Sequence, residues 1–362
     1  MNLLKKFFSK KEEPIRTYND FWNWFQLHEK QFFEVVKANG DVEKLFFEKI
    51  GPKLNELRPG FFYVTGMIDP KTVELIITAD GEIKNFVFVE ELVAASPAIS
   101  GWKFTALKPS LDITDVTIEM DGTWYSKDNL FFYPNDEPGY PDEVSITLVH
   151  EQYTEGKDAI LTGIYIFLDN YLGELDFANT IDTIRFSSKA SATADLIPIE
   201  KLKDYLRWRE KEFVEKYVDT EPDPALETYS IYESSLGKEG MLVAVLNSAL
   251  FTWEGKASHP WLLTVRIPYD GRKTNGLPDS AAMELLESIE TTITQKLTDA
   301  GSAIYIGRQS ARNTRSIFFA CKEFRTPSRI VAGVQLYYSH KTPIDYEIYK
   351  DKYWQTFNQF VS

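Results

Sequence analysis

The chain has 362 residues, of which 43% are hydrophobic and 14% are aromatic, and this length and composition predict two packed domains. Its formal net charge of −14 argues against general nucleic-acid binding, because such proteins need a basic surface that displaces counterions. The single cysteine, Cys321, excludes an intramolecular disulfide and a cysteine-based metal cage. Cys321 ends an apolar run, so we expect a buried, unreactive thiol.

The N-terminal segment is basic and aromatic, with Lys5, Lys6, Phe7 and Phe8 close together. No apolar stretch that could act as a signal peptide follows it, and no later apolar run approaches the roughly 20 residues that span a bilayer. We interpret residues 1–17 as a flexible, solubilising tail. Marginal binding to an anionic membrane surface is the alternative. The expectation is a cytoplasmic protein without integral membrane association.

Residues 18–217 are predicted to form one α+β domain. Helices are predicted where apolar residues recur at helical spacing, at 21–36, 42–57, 86–95, 159–172 and 199–217. Strands are predicted where short apolar runs end at turn residues, at 61–67, 73–78, 102–107, 116–120, 130–133, 144–149 and 180–186. We expect these strands to form a mostly antiparallel sheet with the helices packed against it.

Residues 218–227 are predicted to be an interdomain linker. The segment is acidic, contains Pro222 and Pro224, and separates a long predicted helix from a new strand pattern. A second domain is therefore predicted at 228–362.

The second domain shows a regular order of elements. Alternate apolar residues from Trp261 to Tyr269 predict a half-buried strand, and Asp279 or Ser280 is expected to cap a helix that ends near Gly301. The remaining predicted elements are a hairpin (229–235 and 242–247), two strands (303–308 and 315–321), a helix (328–338) and a strand (344–349). The order βαββαβ predicts a ferredoxin-like sandwich, here with an extra N-terminal hairpin.

Several short motifs occur in this domain: Ser258-His259-Pro260-Trp261, Asn275-Gly276-Leu277-Pro278, Ile306-Gly307-Arg308 and Arg315. On these motifs the last third of the chain resembles the bacterial domain-of-unknown-function family 695. That family is distantly similar to the regulator of ribonuclease activity B, an acidic protein that restrains a ribonuclease. Residues 61–109 also resemble a domain of uncharacterised bacterial proteins, on Ile77 to Gly81 and Gly101 to Phe104. Neither resemblance implies catalytic residues.

Motifs for catalysis or metal binding are not found in the sequence. The four histidines, His28, His150, His259 and His340, have no zinc-type spacing. There is no phosphate-binding loop, nucleophile elbow or dinucleotide fingerprint. We therefore predict no catalytic residue, no metal and no cofactor, while His259 and Trp261 stay as tentative binding residues.

Arg308 and Arg315 are the best anion-binding candidates in the sequence. If residues 309–314 form a loop, Arg308 pairs with Arg315, and Ile306 and Ile304 lie on the same face. Like charges directly opposite destabilise a sheet, so we expect an anion beside them. An internal carboxylate would make this an ordinary salt bridge. A ligand phosphate or carboxylate, or a partner's acidic side chain, would make it a binding site.

These observations favour a binding or regulatory module for a protein or a small anionic ligand. Two alternatives remain open: an enzyme whose site forms only in three dimensions, and a peripheral membrane protein that binds through its basic tail.

Overall fold

The computed structural model describes residues 14–156, 158–217 and 220–360. They form an α+β structure of two compact units, divided between Pro109 and Ser110. Most of the predicted basic tail (residues 1–13) and the first two residues of the predicted linker lie outside the described residues.

The described part of the first unit contains three α-helices, three strands and a π-helical segment (Glu43–Phe47) directly before α2. The helices and strands are α1 (Tyr18–Lys37), α2 (Glu48–Leu57), β1 (Phe62–Asp69), β2 (Thr72–Thr78), α3 (Ile83–Ala94) and β3 (Trp102–Ala106). Strand β2 pairs antiparallel with β1 and parallel with β3. The β2–β3 pair is parallel because α3 returns the chain to the starting end of the sheet.

Aromatic side chains fill the core of the first unit. Thr17 caps α1 with a capping box, and this helix supplies buried residues at helical spacing. The rings of Phe32 and Phe46 stack with centroids 4.4 Å apart, and those of Trp22 and Phe104 lie 4.5 Å apart. The bounds of these elements confirm the helices and strands predicted for this region in type and approximate position.

The first half of the second unit contains two sheets and three helices. Its elements are β4 (Ile118–Met120), β5 (Thr123–Tyr125), β6 (Leu130–Pro134), β7 (Ser145–His150), α4 (Asp158–Leu172), α5 (Glu174–Thr180), β8 (Thr183–Ser187), β9 (Ile197–Pro198) and α6 (Leu202–Lys216). Strands β4 and β5 form a hairpin, and the larger sheet has the order β8-β7-β6-β9. Position 163 of α4 requires glycine, because a Cβ there would lie 2.2 Å from the Tyr125 ring.

The prediction of one sheet for residues 18–217 is wrong, although most strand pairs in the described part of this range are antiparallel as predicted. The strands belong to three sheets, and two strand pairs, β2/β3 and β7/β8, are parallel. In both cases a helical connection (α3, or α4 with α5) lies between the paired strands, and such a crossover makes parallel pairing possible.

The C-terminal half of the second unit is one six-stranded antiparallel sheet with two helices. Its elements are β10 (Tyr229–Ser235), β11 (Met241–Asn247), β12 (Trp261–Pro268), α7 (Ser280–Asp299), β13 (Ala303–Ala311), β14 (Thr314–Cys321), α8 (Arg325–Tyr338) and β15 (Asp345–Lys350). The strand order is β10-β11-β13-β14-β12-β15.

The two faces of this sheet are covered differently. Helices α7 and α8 pack on one face, which we call the helical face: Tyr305 of β13 bonds to α7, and Tyr346 of β15 bonds to α8. The opposite face packs on Trp354 and Phe357, which follow β15.

The division into compact units does not fall at the predicted linker. Residues 110–217 belong to the same unit as the C-terminal sheet. Whether the segment at 218–227 separates two independently folding domains stays a prediction. No helix in the described ranges is both long and apolar enough to cross a bilayer.

Candidate functional site

The two arginines predicted to bind an anion contact one carboxylate, that of Glu290 on α7. Arg308 Nη1 lies 3.1 Å from Glu290 Oε1, and Arg315 Nη1 lies 3.1 Å from Glu290 Oε2. Tyr305 donates a 2.5 Å hydrogen bond to Oε1, and Arg315 Nε donates a 2.7 Å bond to Ser310. This geometry is that of the salt-bridge alternative, while use of the pair by a ligand stays a prediction.

The predicted strand register of the two arginines is wrong. Arg308 lies opposite Ile317, and Arg315 lies opposite Ser310. The hairpin turn is tighter than predicted, since it consists of Arg312 and Asn313, both with positive φ. This conformation is typical of a two-residue hairpin turn. Near the turn, the observed register differs from the predicted one by two residues. Side chains alternate between faces with a period of two, so both arginines still lie on one face.

A β-bulge at Ile306 separates the isoleucines from the arginines. Ile304 and Ile306 were predicted to share the face of Arg308, but both pack in the apolar cluster on the opposite face. The bulge lies between Tyr305 and Gly307 and adds one residue to the strand. Gly307 has φ 145°, and a Cβ there would lie 2.2 Å from the carbonyl oxygen of Val245. The bulge therefore requires glycine at this position.

Burial determines how these charges behave. The side chain of Arg315 is 3% exposed and that of Arg308 is 33% exposed. Burial lowers the pKa of Arg315, whereas for Arg308 the nearby Glu290 outweighs burial and raises the pKa. Glu287 also raises the pKa of Arg308, by less than Glu290 does. Both arginines therefore have their charge partner within the C-terminal half.

His259 is buried among intramolecular hydrogen-bond partners. Its Nδ1 lies 2.8 Å from Ser258 Oγ, its Nε2 lies 3.7 Å from Glu221 Oε2, and its carbonyl accepts a 3.0 Å hydrogen bond from Trp354 Nε1. Burial lowers the pKa of His259 to about 4 despite Glu221. The imidazole is neutral at pH 7 and is a weak general base there, so we interpret these contacts as structural.

Trp261 leads to a pocket that sequence analysis did not identify. The indole packs edge-on against Phe324, with centroids 5.0 Å apart, and lines a cavity of about 150 Å³. We call this cavity the basic pocket. It is lined by apolar residues (Val144, Leu206, Phe213, Val214, Pro260, Trp261), by Asn179 and Thr180, by one acid (Glu210) and by four cations (Arg209, Lys322, Lys350, Lys352).

Two of the four cations share a buried carboxylate. Asp182, which precedes β8, lies 2.8 Å from Lys350 Nζ and 2.7 Å from Lys352 Nζ. The three side chains are between 5% and 13% exposed. Each lysine also donates to a backbone carbonyl, Lys350 to Asn179 and Lys352 to Asp142, both at 2.7 Å.

The pKa values of this group follow from burial and like charge. Burial, and then the neighbouring Lys350, lower the pKa of Lys352 to about 8, against the opposing effect of Asp182. Burial alone would raise the pKa of Asp182, but the two lysines outweigh it and hold the pKa below its usual value. At neutral pH Asp182 and Lys352 are therefore predominantly charged.

The other two cations differ in their partners. Lys322 forms an ion pair with the half-exposed carboxylate of Glu221. Arg209 of α6 donates to two backbone carbonyls, at 2.8 Å to Pro141 and 3.3 Å to Glu143. Throughout the ranges that the structure describes, no carboxylate lies within ion-pair distance of the Arg209 guanidinium. Arg209 therefore brings to the pocket a positive charge without a matching carboxylate.

The sequence contains little signal for this pocket. Its cations come from parts of the chain that are far apart in sequence. Arg209 lies on α6, Lys322 follows β14, Lys350 ends β15, and Lys352 lies two residues beyond it. Of the predicted binding residues, only Trp261 lines it, whereas His259 lies next to the lining residue Pro260. Arg308 and Arg315 belong to the separate Glu290 cluster. Among the described residues, no group of three His, Cys, Asp or Glu side chains could hold a metal ion.

The comparisons with known proteins concern the C-terminal half of the second unit. A family model described as a family of unknown function (DUF695) matches residues 229–362. The match begins at the first residue of β10 and includes both the six-stranded sheet and Trp261. Neither the curated proteins nor the solved structures give a significant match. The C-terminal third of the chain is thus similar to DUF695, whose function is unknown.

Proposed function

We propose that the protein binds a small anion, a phosphate or a short carboxylate, in the basic pocket. The observation that carries this proposal is Arg209, a lining residue of the pocket whose guanidinium has only carbonyl hydrogen-bond partners among the described residues. A guanidinium presents parallel N–H donors that match phosphate or carboxylate oxygens. An anion in the pocket supplies the charge partner that Arg209 lacks among the described residues.

The size of the pocket limits the ligand. A volume of about 150 Å³ corresponds to roughly five water molecules at ~30 Å³ each. Pockets for larger ligands typically enclose about 300–1,000 Å³, so the enclosed part of this pocket suits a small anion. Leu206, Phe213 and Trp261 line the pocket with apolar surface that suits a short hydrocarbon segment. Inorganic phosphate and dicarboxylates of a few carbons are the ligands of matching size.

The local charge of the pocket favours an anion although the whole chain carries −14. Four cations line the pocket, whereas Glu210 is the one acid among the lining residues. Asp182 and Glu221 pair with three of the cations, which leaves Arg209. Charges in a partly buried pocket are screened less than exposed ones, so the cationic lining acts strongly on a bound anion.

The fold provides a rigid scaffold for the binding site. We infer that residues 228–362 form a ferredoxin-like sandwich with an added hairpin, supported by the element order β12-α7-β13-β14-α8-β15 and the sheet order β13-β14-β12-β15. The charged side chains around the basic pocket are held by buried ion pairs and carbonyl bonds. Such fixed groups suit recognition of an anion without chemical change.

Isothermal titration calorimetry of the full chain with inorganic phosphate and with succinate tests the proposal. We expect at least one of them to bind, and the Arg209→Met variant to bind it about tenfold more weakly or worse, because a hydrogen bond to a charged group contributes about 1.5–3 kcal/mol. The matched control is Arg207→Met. Arg207 is on the same helix, its side chain is 76% exposed, and it pairs with Asp204 at 3.8 Å outside the pocket.

Both variants remove one positive charge, so a general electrostatic effect would weaken binding equally in the two. Equal weakening, or no binding of either anion by the wild-type chain, contradicts the proposal.

A further inference from the structure

The helical face of the C-terminal sheet is only partly covered. Six strands at a spacing of about 4.8 Å span roughly 24 Å, whereas two helices packed about 10 Å apart cover roughly 20 Å. Helices α7 and α8 contact β13 and β15, so the hairpin of β10 and β11 lies at the uncovered end. Tyr229 and Ile231 of β10 are 45% and 68% exposed there.

The outer edge of β10 also has unpaired backbone groups. Leu236 N donates to Gly240 O, and Ser248 N donates to Thr228 O, both at 2.8 Å. These bonds show that even-numbered residues point their N–H and C=O groups toward β11. Because this direction alternates along an antiparallel strand, the odd-numbered residues of β10 point theirs outward. In the described part of the chain, no strand pairs with that side of β10.

The two edges of the sheet differ in their protection. Exposed edge strands are usually blunted by charged residues, proline or a bulge. Strand β15 at the other edge carries Asp345, Glu347 and Lys350, and Lys350 is tied to Asn179. Strand β10 has seven residues, no proline, no bulge and one charged residue, Glu233. A regular edge with a single charge and no proline or bulge is suited to pairing with another strand.

We propose that β10 pairs antiparallel with β10 of a second copy of this chain, with a two-fold axis at Ile231. This register places the two Ile231 side chains opposite each other and Tyr229 opposite Glu233. It joins the outward N–H and C=O groups of both strands and places no like charges opposite each other within the strand. Shifting the centre to Glu233 would oppose two carboxylates, which is destabilising. The resulting sheet is continuous across the two copies.

Sedimentation velocity of the full chain over a wide concentration range is the test. We expect the wild type to move from one-chain to two-chain mass with rising concentration. Ile231→Lys and Ile231→Pro should both remain at one-chain mass. Proline at 231 removes an outward N–H and leaves the bonds to β11 intact. Lysine at 231 would place two positive charges opposite each other across the proposed two-fold axis, which destabilises the pairing.

Leu336→Lys is the control, since Leu336 is an exposed apolar residue on α8, 77% accessible, away from β10. This variant should dimerise like the wild type. Circular dichroism melting checks that each variant is folded, and the lysine variant carries the test if the proline variant does not fold. A wild-type chain that stays monomeric, or a dimer that persists in the folded Ile231 variants, overturns the proposal.

Discussion

Individual side chains of the second unit show how burial changes the chemistry of a residue. Cys321 was predicted to be a buried thiol, and this is confirmed: it is fully buried on β14, and burial raises its pKa well above the usual value. The partners of the buried charges were not predictable. Glu290 and Asp182 are two of 54 acidic residues, and nothing in their local sequence distinguishes them.

Replacement of His259 should change the pH dependence of stability. The folded pKa of about 4 lies below the usual 6.5, so between these values the unfolded chain binds a proton that the folded chain excludes. This contribution to stability is present above about pH 6.5 and is lost as the pH falls toward 4, by up to about 3 kcal/mol. His259→Asn should flatten this part of the profile, measured by urea denaturation at several pH values.

His340 supplies the control for this experiment, because it is exposed at the end of α8. His340→Asn should leave the pH profile as in the wild type. An unchanged slope in the His259 variant would show that other groups cause the loss of stability in acid.

At the scale of elements, most of the fold could be predicted from local patterns. The alternation from Trp261 to Tyr269 correctly located β12, and Asp279 is the N-cap of α7. The prediction that this strand is half-buried is wrong, because helices cover one face of the sheet and the cluster with Trp354 covers the other. Helix α5 and strand β5 were missed because each is short and has weak periodicity, whereas β4 lies within the strand predicted at 116–120. The β13–β14 register was wrong because a bulge and a two-residue turn leave little trace in apolar spacing.

Asp182→Asn should strongly destabilise the second unit. This carboxylate lies just before β8 and pairs with Lys350 and Lys352 at the end of the C-terminal sheet. Removing its charge leaves two buried lysines without their partner, which costs about 3–5 kcal/mol. The midpoint of guanidinium denaturation measures this loss.

The comparison variant for Asp182 is Asp204→Asn, since the Asp204 side chain is 71% exposed and its ion pair with Arg207 is long, at 3.8 Å. Surface changes of this kind usually alter stability by less than about 0.5 kcal/mol. Similar denaturation midpoints for the two variants would mean that the Asp182 ion pairs contribute little.

At the scale of the whole molecule, the sequence predicts the mixture of helices and strands but not the grouping of residues 110–217 with the C-terminal sheet. That grouping depends on contacts between residues distant in sequence, such as the hydrogen bond from Tyr353 to Asp142 at 2.5 Å. Short-range periodicity contains no information about such pairs. The acidic, proline-containing segment was the strongest local signal for a boundary.

Limited proteolysis tests the boundary predicted at 218–227. Residues 223–229 are exposed, so we expect cleavage there and a cooperatively folded fragment that begins near Thr228. The apolar cluster around Leu262 and Phe318 lies wholly within this fragment. The fragment lacks Asp182, but Lys352 is then exposed to solvent and its charge is hydrated. A fragment that unfolds without a cooperative transition would show that the two halves need each other to fold.

The bulge at Ile306 has a consequence for how this sequence tolerates insertion and deletion. Loss of that single residue would restore simple alternation along β13, because Tyr305 would still lie opposite Phe319 and Gly307 opposite Phe318. Tyr305 would keep its bond to Glu290, and the apolar cluster would lose only the Ile306 side chain. We therefore expect relatives to differ in length by one residue at this position while they keep the polar network.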